Sequence, residues 1–190
     1  MSGYIDNLIG SKIAGGNTAY RRSKSDFYPT PPEATQAILD WLKLPNGSKI
    51  WECACGEGHM VEVMKQSGYE VIGTDIKGGY DYLLTETPNN VDFIITNPPF
   101  SKAKEFIEKS IERKIPFAFL LKTQFWNSKS RYDLFYSQPP TYILPLTWRP
   151  DFLFKTRGKG SPLMDVLWCV WIPEKTETLF RPLLKPTKED

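Results

Sequence analysis

The tetrapeptide Asn97-Pro98-Pro99-Phe100 has the residue types needed to bind a planar amino group. It directly follows the apolar run 93–96, so the asparagine stands at the carboxyl end of a predicted buried strand. The two prolines fix the turn and leave the Asn97 side-chain oxygen and the Pro98 carbonyl as acceptors for two N–H bonds. Phe100 adds a ring on which a flat substrate can stack. In an alternative interpretation, the prolines only end the strand and Asn97 caps the next helix.

A second group of residues indicates a nucleoside-binding turn. Gly56 and Gly58 follow the predicted strand 49–52 and precede a helix, so they allow a tight turn close to a ligand. Asp75 comes just after the next strand, where a carboxylate can accept from the two ribose hydroxyls of an adenosine. The third glycine of the dinucleotide fingerprint is missing. S-adenosylmethionine has no phosphate and has a cationic amino acid end, for which the Glu52 carboxylate is a suitable partner.

The elements that must position these residues alternate along the chain. Apolar residues at helical spacing predict helices over 33–42, 59–67 and 102–113. Short apolar runs predict strands over 49–52, 70–74, 93–96 and 117–121. This alternation is typical of an α/β fold with a mainly parallel central sheet and helices on both faces. Two further β-rich runs, 142–146 and 164–172, suit a closing antiparallel hairpin at one sheet edge.

Length and composition predict one domain. The 190 residues suit a single catalytic domain over 26–190, preceded by an arm over 1–25 that is rich in Gly, Ser and Asn. Hydrophobic residues at 41% and charged residues at 24% are ordinary for a globular protein and argue against disorder. No apolar run reaches the roughly 20 residues that span a bilayer, and the amino terminus lacks a secretory signal. We therefore expect a cytoplasmic protein without a membrane partner. We also expect a monomer or weak dimer.

The cysteines and the charged residues give less information about function than the two motifs do. Cys53, Cys55 and Cys169 do not form a disulfide framework, and with His59 they do not supply four zinc ligands, so we expect no metal. The formal net charge of +2 is too small to indicate nucleic-acid binding by itself. Basic residues nevertheless cluster in two polar stretches, one of which also contains aromatic residues and glycine and so suits phosphate contacts and base stacking. The stretches contain Arg21, Arg22 and Lys24, and Arg149, Lys155, Arg157 and Lys159.

From residue 27 to residue 172 the motifs resemble, in order, those of class I S-adenosylmethionine-dependent methyltransferases. The turn at Asn97 resembles the catalytic motif of amino-methyltransferases, and segments 122–128, 144–152 and 160–166 resemble the small phage-type DNA adenine-N6 enzymes. The chain departs from this group in two respects. Asn97 and Phe100 stand where many DNA adenine enzymes have an aspartate and a tryptophan or tyrosine, and a separate target-recognition domain is not expected.

The resemblance implies a Rossmann-like fold, S-adenosylmethionine as cofactor and S-adenosylhomocysteine as product. It also implies methyl transfer to the exocyclic N6 of a flipped adenine in DNA, with Asn97, Pro98, Pro99 and Phe100 as catalytic residues. The implied cofactor-binding residues are Tyr28, Thr30, Pro31, Glu52, Ala54, Cys55, Gly56, Gly58, His59, Asp75, Ile76, Asp81, Tyr82 and Asn97. The implied substrate-binding residues are Phe100, Lys122, Trp126, Arg149, Phe152, Lys155, Arg157 and Lys159.

Within the implied cofactor set, the resemblance gives individual roles. Segment 52–58 would lie beneath the methionine part of the cofactor, and Thr30, in the motif 27–31, would hold its carboxylate. Asp75 and Ile76 would flank the ribose and adenine. The implied contacts to the cofactor base are Asp81 and Tyr82.

Simpler interpretations of single residues stay open. Glu52 can be an ordinary strand-end acid, Asp75 a turn former and Thr30 only the cap of helix 33–42. Trp126 and Phe152 suit a core or lid position better than a base-stacking one.

The substrate also has alternatives, because enzymes that methylate RNA bases or the side-chain amide of protein glutamine carry the same Asn-Pro-Pro-aromatic motif. An inactive nucleic-acid-binding protein of this fold is a third possibility. With little chain outside the catalytic domain, we expect short or relaxed sequence specificity, determined by loops 77–90 and 126–160.

Overall fold

The computed structural model describes residues 28–152 and 164–187. Several sequence predictions lie outside these ranges, namely the arm over 1–25, Phe27, and the substrate residues Lys155, Arg157 and Lys159. The helices in the described ranges are α1 (Pro32–Leu42), α2 (His59–Gln66), α3 (Ala103–Arg113) and α4 (Tyr132–Ser137). The strands are β1 (Lys49–Glu52), β2 (Glu70–Gly73), β3 (Phe93–Thr96), β4 (Phe117–Lys122), β5 (Tyr142–Pro145), β6 (Val166–Trp171) and β7 (Leu179–Phe180).

The strands form one sheet in the order β2-β1-β3-β4-β6-β5-β7. The neighbours from β2 to β4 are parallel, β6 is antiparallel to both β4 and β5, and β7 is parallel to β5. This is the mixed, mainly parallel α/β architecture that the alternation of elements predicts.

Helices cover both faces of the sheet, because successive side chains of a strand point to opposite faces. One apolar layer combines α1 and α2 with the side chains on one face of the sheet, and the other combines α3 and α4 with the side chains on the opposite face. The first layer includes Ile38, Ile50, Met64, Ile95 and Leu120. The second includes Trp51, Ile94, Ile107, Phe119 and Leu134. Fully buried strands such as β3 and β6 therefore read as continuous apolar runs.

Most predicted elements are confirmed within a residue or two, including the antiparallel hairpin of the two C-terminal runs. Strands β5 and β6 pair antiparallel as predicted, yet β6 lies inside the sheet between β4 and β5. Every residue of β6 is buried, which is why it takes an interior position. The edge is formed by β7, a strand of two exposed residues that the sequence pattern does not reveal.

The alternative interpretation of Thr30 as only the cap of the first helix is wrong. Helix α1 begins at Pro32 after an N-cap at Pro31, and no side chain caps it. Proline suits the first helical position, since its missing N–H would have no partner there and its φ is already helical. The Thr30 side chain is buried and turns toward the end of β3 instead.

The strand order reverses between β1 and β3, because the chain places β2 on one side of β1 and β3 and β4 on the other. In open α/β sheets, the crevice beyond the carboxyl ends of the strands at such a reversal is the usual ligand site. The two motifs of the sequence, after Glu52 and after Thr96, both begin at this point. No helix within the two described ranges is long and apolar enough to cross a membrane.

Candidate functional site

A cleft of about 220 Å³ lies at the carboxyl ends of β1, β2 and β3. The Asn97 turn forms one wall with Pro98, Pro99 and Phe100. Most predicted cofactor residues also line it, and these are Tyr28, Thr30, Glu52, Ala54, Cys55, His59, Asp75, Ile76, Asp81, Tyr82 and Asn97. The other three, Pro31, Gly56 and Gly58, adjoin lining residues in the same turns. Lining residues that the sequence did not single out include Met60, Lys77, Tyr80, Leu83, Lys102 and Phe106.

The turn after β1 needs its glycines for conformational reasons. Gly56 and Gly58 have φ values of 52° and 87°, in the left-handed region that side chains with a Cβ rarely adopt. The Gly58 N–H donates to the Cys55 carbonyl over 2.7 Å, and Gly58 is then the N-cap of α2. The turn therefore brings the backbone close to the cleft at the start of a helix.

Glu52 is a buried carboxyl group at the base of the cleft, only 1% exposed. Its Oε1 accepts from the Thr96 hydroxyl at the end of β3 and from the Ala54 N–H at 3.3 Å. Burial raises the pKa of Glu52 to about 8, and the negative charge of Asp75 adds to the rise, while the two hydrogen bonds oppose it. A cationic ligand group in the cleft would favour the ionised form. Sequence reasoning missed Thr96, although a polar residue ending an apolar strand is a usable signal.

Asp75 and Asp81 are held by backbone donors. Asp75 accepts from Gly56 N–H through Oδ2 and from Lys77 N–H through Oδ1, both at 2.9 Å. Asp81 Oδ1 accepts from the Leu83 N–H at 2.9 Å. Both residues thus form turns, and each carboxylate oxygen keeps a second lone pair that can accept from a ligand hydroxyl.

Tyr82 lies behind the cleft rather than projecting into it. It is 2% exposed, its hydroxyl is 2.7 Å from Ser110 Oγ, and its ring stacks on Phe106 at 4.7 Å between centroids. Any contact with a cofactor would therefore involve the backbone or one ring edge.

Arg113 holds the loop that carries Asp81 and Tyr82. Its Nη2 donates to the carbonyls of Tyr82 and Thr85 at 2.8 and 2.7 Å, and its Nη1 donates to the Thr87 hydroxyl. The guanidinium also lies 4.8 Å from the centre of the Tyr82 ring. No sequence signal identified this residue, because its partners are more than 25 residues away along the chain.

The Asn97 amide makes hydrogen bonds through its nitrogen but not through its oxygen. Nδ2 donates to the Tyr28 carbonyl at 3.1 Å and to Thr30 Oγ1 at 3.0 Å. The buried Oδ1 has no hydrogen-bond partner among the described residues. Asn97 does not cap the following turn of 3₁₀-helix, since that position belongs to Pro99. The amide is therefore oriented, with an acceptor left for an N–H donor.

Aromatic residues and one lysine surround the Phe100 ring. The Tyr28 ring centroid is 5.7 Å away at a tilt of 36°, and Lys122 Nζ lies 4.1 Å from the Phe100 centroid. Phe152 is buried and packs edge-on against Tyr28 at 6.5 Å. Of the predicted substrate residues, Lys122 thus lies beside the cleft, and Phe152 supports Tyr28 from the core.

Trp126 and Arg149 do not line the cleft. The Trp126 ring packs against Phe135 at 4.3 Å between centroids, on the segment that follows β4. The exposed Arg149 donates from Nε to Asp165 at 2.6 Å. Within residues 28–152 and 164–187, no group of three His, Cys, Asp or Glu side chains is placed to hold a metal ion.

Solved structures of similar fold come from several functional classes. The methyltransferase subunit of a type I restriction-modification system from Streptococcus thermophilus gives a TM-score of 0.57 at 14% identity, over 93% of this chain and 50% of that one. A SAM-dependent O-methyltransferase from Thermotoga maritima gives 0.53 at 14% identity, over 90% of this chain and 73% of that one.

Sequence comparison gives one short match. Over 41 residues the chain is 42% identical to the S-adenosyl-L-methionine-dependent Diels-Alderase iccD of Talaromyces variabilis, which is 22% of this chain and 14% of that protein. No family model matches the chain. The chain spans half the length of the restriction-modification subunit and far less of the Diels-Alderase. The structural likeness, together with the strand order, shows that this chain has the Rossmann-like α/β fold of class I methyltransferases.

Proposed function

We propose that this protein transfers a methyl group from S-adenosylmethionine to the exocyclic N6 of adenine in DNA. The observation that carries the proposal is the Asn97 amide, whose nitrogen is fixed by two hydrogen bonds while its buried oxygen has no partner among the described residues. A buried acceptor without a partner costs about 1–3 kcal/mol, and an amino-group donor from a substrate would remove that cost. An amino group on an aromatic ring supplies such a donor.

The cleft residues fit the cofactor. The buried Glu52 carboxyl lies where it can pair with a cationic amino acid end, and Asp75 has lone pairs left for ribose hydroxyls. The turn at Gly56 and Gly58 allows close approach of the ligand to the backbone. S-adenosylmethionine bound there supplies an electrophilic methyl group on a sulfonium and leaves as S-adenosylhomocysteine.

Positioning by the Asn97 turn supplies most of the proposed catalysis. Asn97 Oδ1 and the Pro98 carbonyl accept the two N–H bonds of the amino group, which draws lone-pair density back onto the nitrogen and aligns it. Phe100 stacks on the base and offsets part of the few kcal/mol that flipping it from a duplex costs. As the N–C bond forms, the bond between the methyl group and the sulfonium breaks and releases S-adenosylhomocysteine. The nitrogen then loses its proton to solvent, so no general base is needed before attack.

DNA is the substrate that the remaining observations favour. Lys122 is a basic residue close to the stacking ring, at 4.1 Å from Phe100, where a phosphate next to a flipped base would be attracted. A neighbour in fold is the methyltransferase subunit of a restriction-modification system. RNA bases and protein glutamine carry similar planar amino groups, so they serve as competing acceptors in the test.

The test is transfer of a labelled methyl group from S-adenosylmethionine to macromolecular acceptors. Unmethylated duplex DNA, single-stranded DNA, RNA and a mixed protein substrate are incubated in parallel with the protein and with Asn97→Ala. We expect label in DNA with the wild-type protein and background label with the variant. Label confined to RNA or protein would move the substrate to that class, and no label with cofactor still bound would overturn the methyltransferase proposal.

A further inference from the structure

An aromatic groove lies outside the cleft, on the segment that follows β4. Four aromatic side chains and Lys129 are among the residues that line it, and the open groove has a volume of about 780 Å³. The aromatic residues are Trp126, Tyr132, Phe135 and Tyr136. The cofactor and acceptor residues described above do not use this groove.

Two of these rings are unusually exposed for tyrosine. Tyr132 and Tyr136 are 63% and 78% exposed, and they lie one turn apart on α4. Their ring planes are nearly parallel, at 17°, with 5.6 Å between centroids. Large exposed aromatic surface on a protein typically marks a binding site. A flat, π-stacked ligand would extend this existing stack.

Neighbouring side chains support the groove. Leu134 is buried between the two exposed tyrosines in sequence and anchors α4 to the core. Trp126 and Phe135 pack against each other at 4.3 Å. Arg131 lies over the Phe125 ring at 4.2 Å and donates to its carbonyl at 2.8 Å. Pre-positioned rings bind a flat ligand with little loss of side-chain entropy.

Two features link the segment that carries the groove to the Asn97 turn. Lys122, next to Phe100 in space, directly precedes the 3₁₀-helix Thr123–Trp126 that leads into the groove. Lys104 lies in the first turn of α3, just after the Asn97 motif, and its Nζ donates to the Ser130 carbonyl at 3.1 Å. The groove is therefore tied to the same side of the sheet as the proposed acceptor site.

We propose that the aromatic groove binds the nucleic-acid strand next to the target base, with unpaired bases stacked on Tyr132 and Tyr136. This inference rests on the proposed function and adds a substrate-binding surface to it. Every base has a π-face, so stacking tolerates many sequences, which agrees with the relaxed specificity expected from the sequence. Lys129 and Asp133 both line the groove, so the charge there is balanced and stacking supplies most of the attraction.

The experiment compares binding of a fluorescent single-stranded oligonucleotide by anisotropy in the presence of S-adenosylhomocysteine. The test variant is Tyr132→Ala with Tyr136→Ala, and a second variant replaces both tyrosines by Phe. The matched control is Phe180→Ala, which removes a 60% exposed ring from β7 on another part of the surface. We expect affinity to fall about tenfold or more with the alanines and to stay within about twofold for the phenylalanines and the control.

The outcomes distinguish failure of the groove proposal from failure of the proposed function. Unchanged affinity of the double alanine variant, with wild-type protein that binds and methylates the oligonucleotide, overturns the groove as a binding surface and leaves the proposed function intact. Failure of the wild-type protein to bind or methylate any nucleic acid overturns both. Cofactor binding by the double alanine variant should match the wild type, since neither tyrosine lines the cleft. A parallel loss of cofactor binding would mean that the substitutions act through folding, and the groove assignment would then be rejected.

Discussion

The two sides of the cleft differ in whether their polar side chains are already hydrogen-bonded within the protein. On the side formed after β1 and β2, the carboxyls of Glu52, Asp75 and Asp81 all accept hydrogen bonds from backbone N–H groups. On the side formed after β3, the Asn97 oxygen is buried without a partner in the described part of the chain. The first side is organised before any ligand arrives, whereas the second is completed only by a donor from a substrate. Substitutions on the first side should therefore change cofactor affinity, and those on the second should change turnover.

The largest expected effect comes from the side with the unpaired oxygen. Asn97→Ala should lower the turnover number by about 10²- to 10³-fold, by analogy with the loss of one preorganised polar group from other active sites. Cofactor affinity should stay within about threefold of wild type, because the carboxyls that we propose as its binding groups are untouched. Turnover at saturating cofactor and the dissociation constant from calorimetry give the two values, with Asn46→Ala in an exposed turn as the control. Equal losses in both would contradict the division between the two sides.

On the carboxyl side, Glu52→Gln should weaken cofactor binding by about 10- to 100-fold. The amide keeps the size and the acceptor for Thr96 but lacks the charge, and hydrogen bonds to charged groups contribute about 1.5–3 kcal/mol. Glu57→Gln, an exposed neighbour in the same turn, is the matched control and should bind normally. Titration calorimetry of both variants makes the comparison. A Glu52→Gln protein that binds as tightly as wild type would show that this carboxyl does not pair with the ligand.

The pH dependence of cofactor binding also tests whether the Glu52 carboxylate pairs with the cofactor. Burial raises the pKa of Glu52 to about 8, so below that pH a cationic ligand must displace a proton from the free protein. Cofactor affinity should therefore rise by up to about tenfold per pH unit as the pH approaches 8, and level off above it. Glu52→Gln should remove this component. A wild-type profile that is parallel to that of the variant would show that Glu52 does not titrate on binding.

The Glu52 carboxyl also makes the free energy of unfolding depend on pH. Because the folded-state pKa of Glu52 is raised from 4.5 to about 8, the folded protein binds more protons than the unfolded chain between these pH values. The contribution of Glu52 to the free energy of unfolding is therefore full below about pH 4.5 and is lost as the pH rises to about 8. The increase in melting temperature caused by the cofactor should accordingly be larger at pH 8 than at pH 6. A thermal-shift series at both pH values checks this.

The smallest expected effect comes from Arg113, which holds the loop that carries Asp81. Arg113→Met removes the donors to the carbonyls of Tyr82 and Thr85, so the loop that carries Asp81 should become less ordered. We expect a threefold to tenfold rise in the cofactor KM, on the order of 1 kcal/mol, with the turnover number nearly unchanged. Lys109→Met on the same helix is the control. A fall in the turnover number at constant KM would place Arg113 in the chemistry instead.

The fold was largely predictable from the sequence because its central strands, β1, β3, β4 and β6, are mainly buried. Strands 49–52 and 93–96 were predicted with the bounds that the structure shows, since short continuous apolar runs bounded by turn residues are typical of buried parallel strands. Helix α4 was missed, because six residues with one buried side chain carry no periodicity. Strand β7 was missed because both of its residues are exposed and only its pairing with β5 makes it a strand.

The site was predictable in residue identity but not in its long-range bonds. The glycines and acidic residues that follow predicted strands were correctly expected to lie together, because the carboxyl ends of parallel strands meet at one edge of the sheet. The partner of Thr30 could not be inferred, since Asn97 lies 67 residues away and local propensity favours a helix cap. The Thr96 bond to Glu52 likewise depends on β1 and β3 being neighbours, which only the assembled sheet determines.

The most direct measurement is digestion of treated DNA to nucleosides followed by mass spectrometry. Unmethylated duplex DNA is incubated with S-adenosylmethionine and either the wild-type protein or Asn97→Ala, and cofactor binding is measured on the same preparations. The account predicts N6-methyladenine with the wild-type protein, its loss with the variant, and cofactor binding by both. A different methylated base, or N6-methyladenine that persists with Asn97→Ala, would contradict the assignment of the Asn97 oxygen as the acceptor for the adenine amino group.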